Sequence, residues 1–213
     1  SRGFIIGRYD FKRVETIYNC PSLKIFRDFP KPNKEKIILC HEGVMRRDRG
    51  FPLLIEVMGN LFKYFGENKF ECWFIGKFSS EAEKKEFYKL LTEYQLQNIV
   101  KDLGWIPYER LGEVLSKCDI GLITLIPDRE NNYKAGPPNK LFNYMRYGMP
   151  IVSSFLPEVK KILQDAQCGI CVDNYNTESF CEAIKLLIEN ENLRRKMGQN
   201  AQEAIKKRYL SLI

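Results

Sequence analysis

The chain has 213 residues, 44% of them hydrophobic, and a formal net charge of +7. That is enough for one large domain or two small ones around a sizeable core, and it excludes a disordered chain. No apolar stretch approaches the length that spans a bilayer and no secretory signal opens the sequence, so a cytoplasmic protein is expected.

The elements alternate strand and helix. Lys36 to His41 is an apolar run stopped by Gly43, a buried strand. Phe51 to Phe65 carries Leu54, Ile55, Met58, Leu61, Phe62 and Phe65 at helical spacing. Phe70 to Ile75 is the second strand, Glu81 to Tyr94 an amphipathic helix, and Ile99 to Leu103 the third strand. Pro107 opens a short helix to Ser116, and Asp119 to Ile126 is a fourth, almost wholly apolar strand. A polar loop, Pro127 to Gly136, leads to a helix with a proline pair at its start and Gly148 at its end. The strand Pro150 to Ser153, a helix near Pro157 to Leu163 and the strand Gly169 to Val172 follow. Helices at about Thr177 to Glu189 and Asn192 to Arg208 finish the chain. Repeated strand–helix units with strands buried on both faces predict an α/β fold: a Rossmann-like, doubly wound parallel sheet with helices on both faces. Residues 1–35 are different. Arg13 to Tyr18 reads as an extra strand, and residues 30–36 as an exposed linker.

The sequence pI of about 9.0 favours an anionic partner. The basic residues fall in small groups: Arg46, Arg47 and Arg49; Lys160 and Lys161; Arg194, Arg195 and Lys196; Lys206, Lys207 and Arg208. Such groups read as solvated faces, so no nucleic acid is expected. Seven scattered cysteines fit a reducing compartment. The only CxxC, Cys168 to Cys171, enters an apolar strand instead of opening a helix, which marks structural thiols. A single histidine, His41, leaves a zinc site short of ligands. It reads as a polar residue satisfied by backbone.

The most informative stretch is GPPNKLFNYMRYGMPIVSS, residues 136–154. In an open α/β sheet the N-terminus of such a helix lies at the carboxyl end of the preceding strand, where ligands bind. Free amides and Lys140 in its first turn suit a phosphate. Glu42-Gly43 ends the first strand and Arg49-Gly50 opens the next helix, where glycine lets a ligand approach the backbone.

Four segments in order carry a resemblance: residues 41–58, 102–125, 131–163 and 168–201. Together they resemble the C-terminal, donor-binding domain of the group 1 (family 4) glycosyltransferases of the GT-B fold. The resemblance implies one half of a two-domain enzyme, with residues 36–213 as the nucleotide-sugar-binding domain. Residues 1–35 then form the interdomain segment, and the N-terminal acceptor domain is absent. The implied reaction moves a sugar from a nucleotide-diphosphate sugar to a glycan or lipid-linked acceptor with retention, in surface polysaccharide synthesis. No metal and no other cofactor is expected, the fragment alone would be inactive, and peripheral contact with the inner membrane face follows from the basic faces. A split enzyme's nucleotide-binding subunit, a sugar-nucleotide epimerase and a non-catalytic domain fit the same residues.

By the resemblance, Arg49 stands where the family places a diphosphate-binding base beside Gly43 and Gly50. Val44 occupies a place where the family often has arginine, and Arg46 or Arg47 would substitute for it. Asn139, Lys140 and Leu141 would complete the diphosphate site. The family's two glutamates, seven residues apart, fall on Ala135 and Asn143, so both carboxylates are absent at that spacing. Asn143 can still bond a ribose hydroxyl through its amide. Glu130, Asn131 or Asn132 would replace Ala135 against the sugar. The base would lie near Gly104, Trp105 and Ile106, with Trp105 either stacking on it or filling the core. The catalytic residues are expected in the absent domain.

Overall fold

The structure, a computed structural model, describes residues 29, 32, 34–127 and 136–209. The strand expected at Arg13 to Tyr18 lies outside them, as do residues 30, 31 and 33 of the linker and loop residues 128–135. The described strands are β1 (Ile37–Glu42), β2 (Phe70–Ile75), β3 (Val100–Asp102), β4 (Ile120–Ile123), β5 (Ile151–Ser154) and β6 (Gly169–Val172). The helices are α1 (Phe51–Phe65), α2 (Glu81–Glu93), α3 (Tyr108–Leu115), α4 (Asn139–Arg146), α5 (Pro157–Ala166), α6 (Thr177–Glu189) and α7 (Glu191–Ala204). All strand pairs are parallel and the order is β3-β2-β1-β4-β5-β6.

Each strand divides its side chains between two cores, because successive residues point to opposite faces. Leu39, Cys72, Phe74, Leu122 and Val152 pack under α1, α2 and α6. Ile38, Cys40, Ile75, Ile123 and Ile151 pack under α3, α4, α5 and Ala201 of α7. Burial on both faces is why the strands are near-continuous apolar runs. Three helices begin with a side-chain cap: Ser80 accepts from the Glu83 N–H, Asn176 from Ser179 and Asn190 from Leu193.

Two elements end differently from the sequence reading. β4 stops at Ile123, short of the expected Ile126, because Thr124 turns its polar groups out of the ladder. Its hydroxyl donates to the Arg49 carbonyl (2.9 Å), and its own carbonyl accepts from the Tyr175 hydroxyl (2.9 Å). The last helix ends at Ala204 and finishes in a π turn, Ile205–Tyr209.

The strand order reverses between β1 and β4, which pair at Leu39 with Ile120 and at Cys40 with Gly121. Tyr144 of α4 fills the gap beyond. Its ring lies on Gly121, where a Cβ would sit 2.3 Å from it. Its hydroxyl accepts the Glu42 N–H at 2.8 Å and reaches the Leu122 carbonyl at 3.5 Å. One phenol thus satisfies the two backbone groups that the parting strands leave open. Tyr144→Phe is expected to strand the Glu42 N–H and to lower stability by about 1–3 kcal/mol. The check is the urea midpoint, which should fall at unchanged slope; an unchanged midpoint contradicts this role.

Candidate functional site

The candidate site lies where β1 and β4 part, at the carboxyl ends of the strands, the position at which open α/β sheets bind ligands. β1 ends at Glu42 and the chain turns through Gly43 with φ +124°, a conformation that side chains disfavour. A Cβ at Gly43 would lie 3.6 Å from Lys140 Nζ, so the lysine lies directly over this turn. Next comes an unanticipated 3-10 turn, Arg47–Arg49, which delivers Arg49 to the crevice. Gly50 follows with φ +83°, pressed so closely on the Thr124 carbonyl that no Cβ would fit. That contact and the Thr124–Arg49 hydrogen bond tie this turn to the end of β4.

Lys140 is 5% exposed and its Nζ has no hydrogen-bond partner among the described residues. The buried Nε of Arg49 is likewise unpartnered. Burial pulls the Lys140 ammonium down to about 8; the Glu42 charge opposes this and Arg49 adds to it. Two cations are therefore held near each other at a helix start whose first-turn amides have no acceptor within the helix. Asn139 and Lys140 open α4 after Pro138, which supplies no side-chain cap. Leu141 differs: its side chain lies in the core and its N–H donates to the Pro138 carbonyl at 2.9 Å.

Below the cations sits Glu42. Both of its carboxylate oxygens accept from Asn143 Nδ2, at 3.1 and 2.9 Å. Burial raises its pKa, while the Asn143 hydrogen bond and Lys140 work in the opposite direction. Asn143 is 1% exposed and its Oδ1 has no partner among the described residues. The carboxylate absent from position 143 thus has a neighbour on β1. Glu42 escaped sequence reasoning, although an acidic residue closing an apolar strand at a ligand-binding end was a usable signal.

His41 departs from expectation. It is fully buried and neither ring nitrogen has a partner among the described residues, so backbone does not satisfy it. Its ring packs on Phe74, with centroids 5.4 Å apart. Burial holds its pKa well below the usual range, with help from the Lys140 and Arg49 charges. It is a neutral ring beneath two cations.

The other arginines of the cluster point away. Arg46 binds the Asp48 carboxylate and Arg47 pairs with Glu86, both on the surface. They do not replace the arginine missing at Val44. The turns after β1, β2 and β3 run side by side: the Gly43 N–H donates to the Ile75 carbonyl and Gly76 to Gly104, both at 2.8 Å. Ile106 packs on the lower core. Trp105 is 61% exposed beneath Lys77, which rules out a core role. Glu130, Asn131, Asn132 and Ala135 lie outside the described residues. Cys168 and Cys171 are free thiols, both pushed up by burial, in keeping with structural roles. Lys160 and Lys161 pair with Asp173 and Asp165, so they form no unbalanced basic patch. No helix among the described residues is long and apolar enough to cross a membrane.

A 3-2-1-4-5-6 parallel sheet with unpaired cations at its switch point defines a Rossmann-like domain prepared for an anionic ligand. The sequence model of the group 1 glycosyl transferases matches residues 23–204, and the chain belongs to that family. An uncharacterized glycosyltransferase of Methanocaldococcus jannaschii is 28% identical over 177 residues, covering 83% of this chain and 42% of that protein. The lipopolysaccharide core biosynthesis glycosyltransferase LpsE of Rhizobium meliloti is 24% identical over 174 residues, covering 78% of this chain and 46% of its own. The chain therefore spans less than half of these relatives. Among solved structures, Anabaena HepE in complex with UDP superposes with a TM-score of 0.78 at 16% identity, over 98% of this chain and 57% of that one. The C-terminal domain of the group 1 protein LpcC from Francisella tularensis gives 0.72 at 17% identity, over 89% of this chain and 98% of that domain. The fold is that of the C-terminal half of a GT-B enzyme.

The state of His41 has a measurable consequence. The unfolded chain takes up a proton on His41 below about pH 6.5, which the native state refuses until a lower pH. Stability is therefore full above about 6.5 and falls on acidification, by up to about 1.4 kcal/mol per pH unit from this group. His41→Leu should lose that share of acid sensitivity and keep or raise the urea midpoint at pH 8. A midpoint lowered at pH 8 would show that the ring nitrogens have partners.

Proposed function

We propose that this chain is the donor-binding half of a retaining glycosyltransferase that uses a nucleotide-diphosphate sugar. The observation that carries the reading is the pair of buried, unpartnered cationic atoms, Lys140 Nζ and Arg49 Nε, at the switch point beside Gly43. Unsatisfied buried donors of this kind are costly unless a ligand completes them. A diphosphate does so, with oxygens for both cations at the start of α4.

In the reaction proposed, the acceptor hydroxyl oxygen bonds to the anomeric carbon and gives up its proton, the bond from that carbon to the β-phosphate oxygen breaks, and charge accumulates on the leaving diphosphate. Arg49 and Lys140 are fixed in place before that charge develops, the arrangement that stabilises a transition state most effectively. They take the part that a metal plays elsewhere, and no metal or other cofactor belongs to this proposal. Gly43 leaves room for the phosphates. On this reading the backbone at Ile106 would serve the base, and Glu130, Asn131 and Asn132 are the candidates to contact the sugar. Residues 36–213 form the donor domain, and 1–35 lead in from an acceptor domain that binds a glycan or lipid-linked sugar. The likeness to a lipopolysaccharide core enzyme supports an acceptor in surface polysaccharide synthesis. A lipid-linked acceptor would bring the whole enzyme to the cytoplasmic membrane face.

Calorimetric titration with UDP, GDP, ADP and CMP tests the reading. One nucleoside diphosphate should bind saturably, and Lys140→Ala or Arg49→Ala should each weaken it by about 1–3 kcal/mol. Arg46→Ala and Arg47→Ala should leave it within about twofold, the scale of exposed ion pairs. Binding should also weaken as pH rises through about 8, where Lys140 loses its proton. The diphosphate is already fully ionised at that pH. Wild-type affinity in both alanine variants, or a flat pH profile from 7 to 9, would remove the phosphate site.

A further inference from the structure

We propose that Glu42 is the group that receives the ribose hydroxyls of the donor nucleotide, and that Asn143 is the positioning residue that aims it. The proposal rests on the donor-binding reading above and adds to it the residue that holds the ribose.

Glu42 ends β1 on the face that carries Ile38 and Cys40, so its side chain rises toward α3 and α4. It is partly exposed, whereas Asn143 is buried. A ligand in the crevice meets the carboxylate before it meets the amide. Both oxygens are held by one Asn143 NH2, and each keeps further acceptor capacity after that bond. The Glu42 N–H is fixed in turn by Tyr144, so backbone and side chain are both anchored to α4.

A carboxylate here cannot serve the phosphates, since like charges repel. It can serve neutral donors, and a vicinal diol presents two hydroxyls to the two oxygens. Position selects the ribose over the transferred sugar. Lys140 and Asn143 lie three residues apart on one helical face, about 4.5 Å along the axis. Glu42 is near enough to Lys140 for the two charges to interact, and Asn143 holds it one turn further along α4, on the inner side of the phosphate cations. Tyr108 is also close enough to feel the Glu42 charge, and it follows by two residues the backbone at Ile106 proposed to serve the base. Phosphate, ribose and base then fall in order along Lys140, Glu42 and Ile106.

The test compares calorimetric affinities of UDP, GDP and ADP with those of their 2′,3′-dideoxy counterparts. For whichever base binds, the wild-type chain should prefer the ribose form at least about tenfold, the scale of a hydrogen bond to a charged group. Glu42→Gln should bring that ratio below about threefold while dideoxy affinity stays equal or rises. Asn143→Ala, with the carboxylate retained but unaimed, should also lower the ratio without loss of dideoxy affinity. A wild-type ratio near one, or a full ratio kept in Glu42→Gln, would overturn the assignment and leave the phosphate site standing. Binding of none of the three diphosphates by the wild-type chain would overturn the donor reading and this assignment with it.

Discussion

The site depends on the seating of one phenol. Where β1 and β4 part, the ladder loses partners, and Tyr144 restores them with its hydroxyl while its ring occupies the space that Gly121 leaves free. That wedge fixes the height and rotation of α4 above the sheet. Lys140 and Asn143, on the same helix, are placed by it as a consequence. A side chain larger than hydrogen at residue 121 would lift the helix and, with it, the lysine. The core contact and the functional geometry are thus one constraint.

The charges assembled there are not arranged for stability. A lysine at 5% exposure with no partner, a buried guanidinium nitrogen with none and a neutral, unsatisfied imidazole are each unfavourable alone. One carboxylate, itself pushed toward its neutral form, balances part of the positive charge. An unpaired positive field inside a folded protein is the arrangement expected where an anion is to be bound. The low local dielectric makes each such cation worth more to a bound phosphate than a surface lysine would be. Local rules fail at this site and are obeyed away from it, where Arg46, Arg47, Lys160 and Lys161 all pair with carboxylates.

The architecture was readable from the chain because burial on both faces writes itself as apolar runs. Phe70–Ile75, Phe51–Phe65 and Thr177–Glu189 fall where periodicity places them. Strand ends were less legible, since β4 stops where side-chain bonds from Thr124 and Tyr175 compete with the ladder, a tertiary event. Gly43, Arg49 and Lys140 were legible as types in sequence, but their meeting in one crevice needed the switch point. Arg49 stands out by its place before Gly50; that Arg46 and Arg47 turn away to surface carboxylates depends on the geometry of the 3-10 turn. Glu42 and Asn143 are 101 residues apart, and no local pattern announces their pairing. His41 was misread because a lone buried histidine usually finds a backbone partner, and this one is surrounded by Phe74 and two cations.

The central claim is that Lys140 is buried, unpaired and waiting for an anion. The most direct measurement follows the side-chain resonances of Lys140 by NMR in selectively labelled protein, titrated with pH in the absence and presence of saturating UDP, GDP or ADP. The account predicts a midpoint near 8 in the free chain and a rise well above it when a diphosphate binds. An ordinary solvent-exposed lysine midpoint, unmoved by every nucleotide, would contradict it.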